Sequence, residues 1–242
     1  MTPTEGTYVY CVIAAARRPR LSRIPHGPSG LGPVRLLEVE QGLYIAAADA
    51  PLDKYGEAAL GQVVSDLDQI SRAALAHEAV VESFASAPAV LPMKLFTLFA
   101  SDARAVGHVR GRRRRIASIV ERVAHRQEWG VRVLRGSTRV AAPVEARCAR
   151  SGLNYLSCKK ATRDAPHQAI AGLYERLAAH ATRARHRNRG GRPALLDAAF
   201  LVPRARAASF QAQVSRESRN YARHGYRLTL SGPWPPYSFM QD

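Results

Sequence analysis

The chain has 242 residues, of which 46% are hydrophobic and 23% charged, as is typical of a soluble globular protein of one or two domains. It contains no run of about 18 apolar residues and no basic start to its first apolar stretch, so it predicts neither a membrane-spanning helix nor a signal peptide. Cys11, Cys148 and Cys158 form no CxxC pair and no metal-binding pattern with histidine. We therefore expect a reduced, cytoplasmic protein.

The formal net charge of +17 is concentrated in the second half of the chain. Residues 1–127 hold 16 basic and 12 acidic side chains, whereas residues 128–242 hold 20 basic and 7 acidic ones. A surface of this kind favours an acidic protein partner or nucleic acid. The alternative is a genome-wide bias toward arginine and alanine, which leaves the charge without a role.

Three strands are predicted in the first 51 residues. Thr7–Ala15 is rich in β-branched and aromatic residues, which predicts a buried strand. The segments VRLLEVEQ and LYIAAADA predict two antiparallel strands joined by a tight turn at Gln41-Gly42.

A helix, a strand and a second helix follow. Apolar residues at spacings of three and four between Leu67 and Phe84 predict an amphipathic helix, and Ser65 supplies its N-terminal cap. The apolar run Ala89–Phe99 predicts a strand near a sheet edge or a bulge, because it contains an early proline. A second helix is predicted from Ser101 to about Gln127.

The run GRRRR (Gly111–Arg115) is expected inside that second helix. Four consecutive arginines point around most of the circumference of a helix. They are interpreted either as a solvated face with apolar stems or as a contact for an acidic protein or nucleic acid. We favour the solvated face.

The second half of the chain predicts strand, helix, strand, helix, strand. This α+β pattern resembles a ferredoxin-like fold that lacks an obvious strand. We predict two domains, an N-terminal mixed α+β domain at 1–127 and a C-terminal modified ferredoxin-like domain at 128–242. The predicted elements of the second domain are Trp129–Gly136, Tyr155–Arg187, Leu195–Pro203, Ala207–Arg223 and the strand YRLTLSG.

No catalytic or metal-binding pattern stands out. The glycines of Gly27–Pro33 lack the lysine of a P-loop, and His77-Glu78 lacks the second histidine of a zinc protease. His77 also lies on the apolar face of its helix, which is typical of a core histidine. We therefore predict a protein that is not an enzyme, with no catalytic residue, cofactor or metal.

The segment GPWPPYSF (Gly232–Phe239) combines three prolines with three aromatic residues. The prolines lack backbone donors, so the last strand is expected to end before Pro233. Trp234, Tyr237 and Phe239 are each able to bury about 150–250 Å². We expect them to form a structural clamp that folds back on the chain, in preference to a disordered ligand for a partner.

Eight sequence blocks resemble, in the same order, those of the GvpF/GvpL family of gas vesicle proteins. The resemblance spans residues 7 to 239. It departs from the family pattern at Lys94, Leu95 and Phe96, where the family has Arg, Phe and Gly, and at Cys11, where Gly is common. The blocks are TYVYCVI, GLYIAAADA, HEAVVE, VLPMKLFTLF, EWGVRV, GLNYLSCKK, AAFLV and YRLTLSGPWPPYSF.

The resemblance implies a non-enzymatic accessory protein of gas vesicle formation with two domains, the second a modified ferredoxin-like fold. It implies binding to the small hydrophobic shell protein, with other gas vesicle accessory proteins as further partners. It also implies a role in assembly or nucleation of the vesicle, in the cytoplasm and at the vesicle, including its gas-facing surface. No membrane partner is expected. A basic nucleic-acid-binding module is the alternative, and we favour it less.

A shell protein exposes apolar surface before assembly, and such surface aggregates unless a partner covers it. The candidate faces for binding the shell protein are the helix after Ser65 and the strand predicted at 90–99. The edge of this strand suits β-augmentation. The candidate shell-protein contact residues are Leu91, Met93, Lys94, Phe96 and Phe99.

Overall fold

The computed structural model describes residues 5–56, 66–136, 170–187 and 194–241. The chain divides into two compact units, one formed by Met1–Arg126 with Pro235–Asp242 and the other by Gln127–Trp234. This division falls beside the predicted boundary at residue 127. The C-terminal segment, which was predicted as part of the second domain, groups with the N-terminal unit.

The N-terminal unit contains one antiparallel sheet. Its strands lie in the order β2-β3-β1-β4, and β5 pairs with β1 beyond β4. The predicted turn at Gly42 joins β2 and β3, and glycine suits this position because its φ is +82°. The strands are β1 (Glu5–Ala14), β2 (Arg35–Glu40), β3 (Leu43–Pro51), β4 (Ala89–Pro92) and β5 (Leu98–Phe99).

The run Ala89–Phe99, predicted as one strand, forms two. β4 pairs with the C-terminal half of β1, and β5 pairs with Thr7 and Tyr8. Residues 93–97 lie between the two strands; Met93 and Thr97 still hydrogen-bond to β1, and Phe96 adopts a φ of +62°. The prediction of an edge position was right, but that of a continuous strand was wrong, because both ends of the run pair with one distant strand.

Four helices of the N-terminal unit lie in its described part: α1 (Leu52–Tyr55), α2 (Leu67–Ser83), α3 (Asp102–Gly111) and α4 (Arg113–Val123). No described helix is long and apolar enough to cross a membrane.

The N-terminal cap of α2 is Asp66, whose carboxylate accepts hydrogen bonds from two backbone amides, those of residues 68 and 69. Ser65, the predicted cap, lies outside the described residues. The predicted apolar face is buried only in the C-terminal half of the helix, from His77 onward. Leu67 and Leu75 are 78% and 73% exposed.

The predicted second helix is interrupted at Arg112, inside the GRRRR run. Arg112 has φ −107° and ψ 17°, and it separates α3 from α4. Glycine weakens a helix by about 1 kcal/mol relative to alanine, and like charges three and four residues apart repel. Gly111 and the four arginines therefore account for a break at this point.

The C-terminal unit contains a second sheet. Its strands are β6 (Arg126–Arg135), β7 (Arg183–His186), β8 (Leu196–Pro203) and β9 (Tyr226–Trp234), in the order β7-β8-β6-β9. Helix α5 occupies the described residues 170–178, and α6 spans Ala207–Ala222. The chain order βαββαβ with this strand order is consistent with the predicted ferredoxin-like fold.

Strand β7 is the element that the sequence did not reveal. Residues 183–186 were predicted as the end of a helix, whereas they pair antiparallel with residues 198–201 of β8. Arginine and alanine favour a helix locally, and the tertiary pairing overrides that preference. The earlier part of the predicted Tyr155–Arg187 helix lies outside the described residues, as do Cys148 and Cys158.

Strand β9 continues through Pro233 to Trp234, although it was predicted to end before Pro233. It lies at the sheet edge, and its register against β6 shifts between Glu128 and Gly130. Proline is tolerated in an edge strand beside such a bulge because no ladder hydrogen bond is lost there.

Each unit has its own hydrophobic core. Tyr8, Tyr10, Ile13, Val81 and Phe84 belong to the core of the N-terminal unit. Trp129, Leu173, Leu177, Phe200 and Phe210 belong to that of the C-terminal unit.

Candidate functional site

An open groove of about 450 Å³ lies in the N-terminal unit. Strands β1 and β4, the end of α3, the first two turns of α4 and the C-terminal segment all contribute lining residues. Its apolar floor includes Val12, Leu91, Val109, Ile116 and Ile119.

The sequence of α4 explains part of this floor. Ile116, Ile119 and Val123 recur at spacings of three and four, which places them on one face of the helix. Ile119 and Val123 are buried, whereas Ile116 retains partial exposure at the groove. The helix therefore contributes apolar surface both to the core and to the groove.

The rim of the groove is basic. Lys94, Arg112 and Arg115 line it together with His108, and no aspartate or glutamate is among the described lining residues. The Arg112 guanidinium lies 2.7 Å from Nδ1 of His108. Burial, followed by the charge of Arg112, lowers the pKa of His108 from its ordinary value of 6.5. The fixed positive charge of the rim therefore comes from the lysine and the two arginines.

The arginines of the GRRRR run differ in their surroundings. Arg113 pairs with Glu40 at 3.2 Å and does not line the groove. Arg112 and Arg115 do line it, and neither pairs with a carboxylate in the described part of the chain. All four arginines are exposed, as the sequence indicated.

The C-terminal segment forms one side of the groove. A 3₁₀ turn at Tyr237–Phe239 buries Phe239, which is 4% exposed, and Met240 lines the groove. The Tyr237 hydroxyl donates a hydrogen bond to the Glu78 carboxylate. Burial, followed by this hydrogen bond, raises the pKa of Tyr237. Trp234 lies in β9 and is 38% exposed.

His77 is a core residue of the same unit. Its Nδ1 lies 2.7 Å from the Tyr8 hydroxyl, and its ring packs against Tyr10 with centroids 5.4 Å apart. Burial lowers its pKa to about 4. Among the described residues, no group of three or more His, Cys, Asp and Glu side chains is arranged to hold a metal ion.

Gly27, in the glycine-rich segment Gly27–Pro33, has a packing role. Gly27 lies directly against the Tyr10 hydroxyl, where any Cβ would collide with the phenol.

The structure brings three of the five candidate contact residues together. Leu91, Met93 and Lys94 line the groove. Phe96 packs against the core cluster, and the Phe99 ring lies 4.9 Å from that of His108 outside the lining. The periodicity of α4 was visible in the sequence, but its partners in the groove come from distant segments that no local pattern connects.

The EWG block of the C-terminal unit has a structural explanation. The Arg187 guanidinium lies 3.6 Å from the Glu128 carboxylate and 3.5 Å from that of Asp197. It crosses the sheet directly over Gly130, where a Cβ would collide with it. The block thus packs an ion cluster into the sheet, and its geometry indicates a structural role.

Comparisons with known proteins agree along nearly the whole chain. The family model described as gas vesicle synthesis protein GvpL/GvpF matches residues 6–241. Gas vesicle protein L of Streptomyces sp. (strain CB03234) is 32% identical over 260 residues, which cover 99% of this chain and 94% of the relative. Gas vesicle protein F of the same strain is 30% identical over 258 residues, which cover 98% and 100%.

Two crystal structures share the fold. Gas vesicle protein GvpF from Anabaena sp. PCC7120 superposes with a TM-score of 0.73 at 16% identity, covering 98% of this chain and 99% of that one. GvpF from Microcystis aeruginosa gives a TM-score of 0.72 at 15% identity with the same coverage. The predicted α+β fold class is confirmed.

Proposed function

This chain belongs to the GvpL/GvpF family of gas vesicle synthesis proteins, and from this premise we propose that it binds the small hydrophobic shell protein and supports assembly or nucleation of the vesicle. Other gas vesicle accessory proteins are proposed as further partners. The proposed place of action is the cytoplasm and the growing vesicle, including its gas-facing surface. The proposed role requires a binding face and no catalytic group.

The groove of the N-terminal unit is the observation that supports this proposal. Its lining includes the partly exposed apolar residues Met93 and Ile116, next to the buried Leu91. Exposed apolar surface in a concave site marks a place for a ligand or a protein segment. We assign shell-protein binding to this groove, with Met93 and Lys94 at its edge.

Strand addition at β4 is the less suitable alternative. β4 has only four residues and ends in Pro92, which lacks a backbone donor. The carbonyl of Pro88, just before it, already accepts a hydrogen bond from the His125 amide at 2.7 Å. Because β-augmentation depends on a row of free backbone groups, the groove is the better docking surface.

The test is co-expression with the shell protein, followed by affinity purification with nuclease at low and at high salt. We expect recovery of the shell protein at both salt concentrations, because apolar contacts weaken little with salt. Nucleic-acid complexes lose about 10³–10⁵ in affinity between 50 and 200 mM salt when they make 6–10 phosphate contacts. Recovery of nucleic acid alone, lost at high salt, would contradict the proposal and favour the basic binding module.

A pair of variants on α4 locates the contact. Ile116→Asp places a charge on the groove floor, whereas Ala117→Asp makes a similar change on the exposed side of the same helix. We expect the first to abolish recovery of the shell protein and the second to preserve it. Thermal melting of both variants shows whether a loss of binding reflects a loss of folding.

A further inference from the structure

We propose that the groove selects an apolar segment that carries carboxylate side chains, and that Lys94, Arg112 and Arg115 are its specificity-determining residues. The partner segment is an acidic amphipathic stretch of the shell protein. This inference deepens the proposed function and rests on it for the identity of the partner, while the charge preference of the groove is tested separately.

The charge at the rim of the groove is unbalanced. Three fixed cations line the groove, and none of its described lining residues is acidic. Two other arginines of the unit do have carboxylate partners: Arg113 pairs with Glu40, and Arg35 lies 2.8 Å from Asp49. A cluster of one sign beside an apolar wall concentrates its field, because the wall has a low dielectric constant.

Two of the rim cations, Arg112 and Arg115, lie at the N-terminus of α4. Arg112 caps this helix, which has no acidic residue in its first turn. The N-terminus of a helix carries partial positive charge and favours anions. Arginines at i and i+3, such as Arg112 and Arg115, also repel each other. The free protein therefore holds an electrostatically unfavourable arrangement that a bound carboxylate relieves.

The apolar lining of the groove favours an acidic peptide over a nucleic acid. The partly exposed Met93 and Ile116 supply no hydrogen-bond donor, and a phosphate backbone laid over them loses its hydration without compensation. An amphipathic peptide places apolar side chains on the floor and carboxylates at the rim. The groove already has one peptide segment as its side, the C-terminal turn with Tyr237 and Met240.

The test uses three synthetic amphipathic peptides with identical apolar residues and with Glu, Gln or Lys at the polar positions. Their binding to the full chain is measured by fluorescence anisotropy. We expect the Glu peptide to bind about tenfold more tightly than the Gln peptide, as a few exposed ion pairs provide, and the Lys peptide to bind most weakly. A single-stranded oligonucleotide of equal charge serves as the fourth probe.

The double variant Arg112→Glu/Arg115→Glu is expected to reverse the order, so that the Lys peptide binds most tightly. The control Arg20→Glu/Arg104→Glu makes the same charge change at exposed arginines outside the groove and is expected to keep the order. Equal binding of the three peptides overturns the inference. Tighter binding of the oligonucleotide than of the Glu peptide, lost in the groove double variant, also overturns it.

Purification of the shell protein with the same double variants distinguishes the proposed function from the proposed charge preference of the groove. Shell protein that is lost with Ile116→Asp but retained with Arg112→Glu/Arg115→Glu leaves the proposed function standing and overturns the charge preference. Peptides that follow the predicted order, with no shell protein recovered, support the charge preference and contradict the proposed function.

Discussion

His77 makes the stability of the N-terminal unit depend on pH. Its pKa falls from 6.5 to about 4 on folding, because burial disfavours the charged ring. The unfolded chain therefore binds more protons than the folded chain between these two values, and stability rises with pH across that window. Below about pH 4 both states are protonated, and the contribution is absent.

We expect the free energy of unfolding to fall by about 3 kcal/mol between pH 7 and pH 4 because of this one group. His77→Gln, which keeps a polar partner for the Tyr8 hydroxyl, should flatten the profile. His26→Gln changes an exposed histidine and should leave the slope as in the parent protein. Urea unfolding at several pH values measures the free energy of unfolding of both variants. If this free energy changes equally with pH in the parent and in His77→Gln, His77 is not the cause of the pH dependence.

Gly130 tests the packing of the ion cluster in the C-terminal unit. Gly130→Ala places a Cβ against the Arg187 guanidinium and the Ser231 hydroxyl, so the arginine has to move away from Glu128. Disturbing a buried ion pair or overpacking costs about 1–3 kcal/mol.

Gly107→Ala is the matched control, because this glycine lies within α3 with no heavy atom near the added carbon. It should stabilise by up to about 1 kcal/mol through helix propensity. Chemical denaturation of the two variants compares them, and a neutral Gly130→Ala would show that the cluster tolerates displacement.

At the scale of single elements, the first turn of α4 is electrostatically unfavourable, because it carries three arginines and no acidic residue. Arg114 belongs to that turn, is exposed and does not line the groove. Arg114→Glu should raise the free energy of unfolding by about 0.5 kcal/mol, since an anion suits a helix N-terminus. Peptide binding should be nearly unchanged.

An Arg→Glu change at a helix C-terminus is expected to change the free energy of unfolding in the opposite direction. Arg219 lies in the last turn of α6, where a cation is favourable, so Arg219→Glu should destabilise by a similar amount, about 0.5 kcal/mol. Thermal melting at low salt measures both changes. Shifts of the same sign in the two variants would contradict the explanation by helix dipoles.

The elements differ in how far the sequence predicted them. The β2–β3 hairpin was predicted from two short segments and the tight turn at Gln41-Gly42 between them, which is a local signal. The run Ala89–Phe99 divides because both of its ends pair with β1, and 183–186 is a strand because it pairs with β8. Such pairing joins residues far apart in the chain, so local propensity does not reveal it.

The candidate site was predictable to a similar degree. The apolar run contributes Leu91, Met93 and Lys94 to the lining of the groove. Phe96 and Phe99 were expected beside them, but Phe96 packs against the core cluster and the Phe99 ring lies against His108, outside the lining. The basic rim could not be predicted from the sequence, because it depends on the helix break at Arg112, between α3 and α4.

At the scale of the whole chain, the C-terminal segment joins the unit formed by the first half of the sequence. It groups with the N-terminal unit and carries the buried Phe239 and the Tyr237–Glu78 hydrogen bond. We predict that this segment is a structural clamp. Phe239→Ala should lower the free energy of unfolding by about 3 kcal/mol or more, the usual cost of truncating a buried phenylalanine.

Deletion of residues 235–242 should cost at least as much, because it removes the Tyr237 contact as well. Trp234→Ala is the comparison, since Trp234 is a partly exposed residue of the other unit, and it should cost less than the Phe239 change. Denaturant unfolding measures the series. Unchanged unfolding of the deletion variant together with lost shell-protein capture would make the segment a partner ligand instead of a clamp.

The most direct measurement of the central claim is capture of the co-expressed shell protein by the parent chain, by Ile116→Asp and by Ala117→Asp, with nuclease present at low and high salt. The account predicts capture by the parent and by Ala117→Asp at both salt concentrations, and none by Ile116→Asp. Equal capture by all three would contradict the assignment to the groove. Capture of nucleic acid alone, lost at high salt, would contradict shell-protein binding itself.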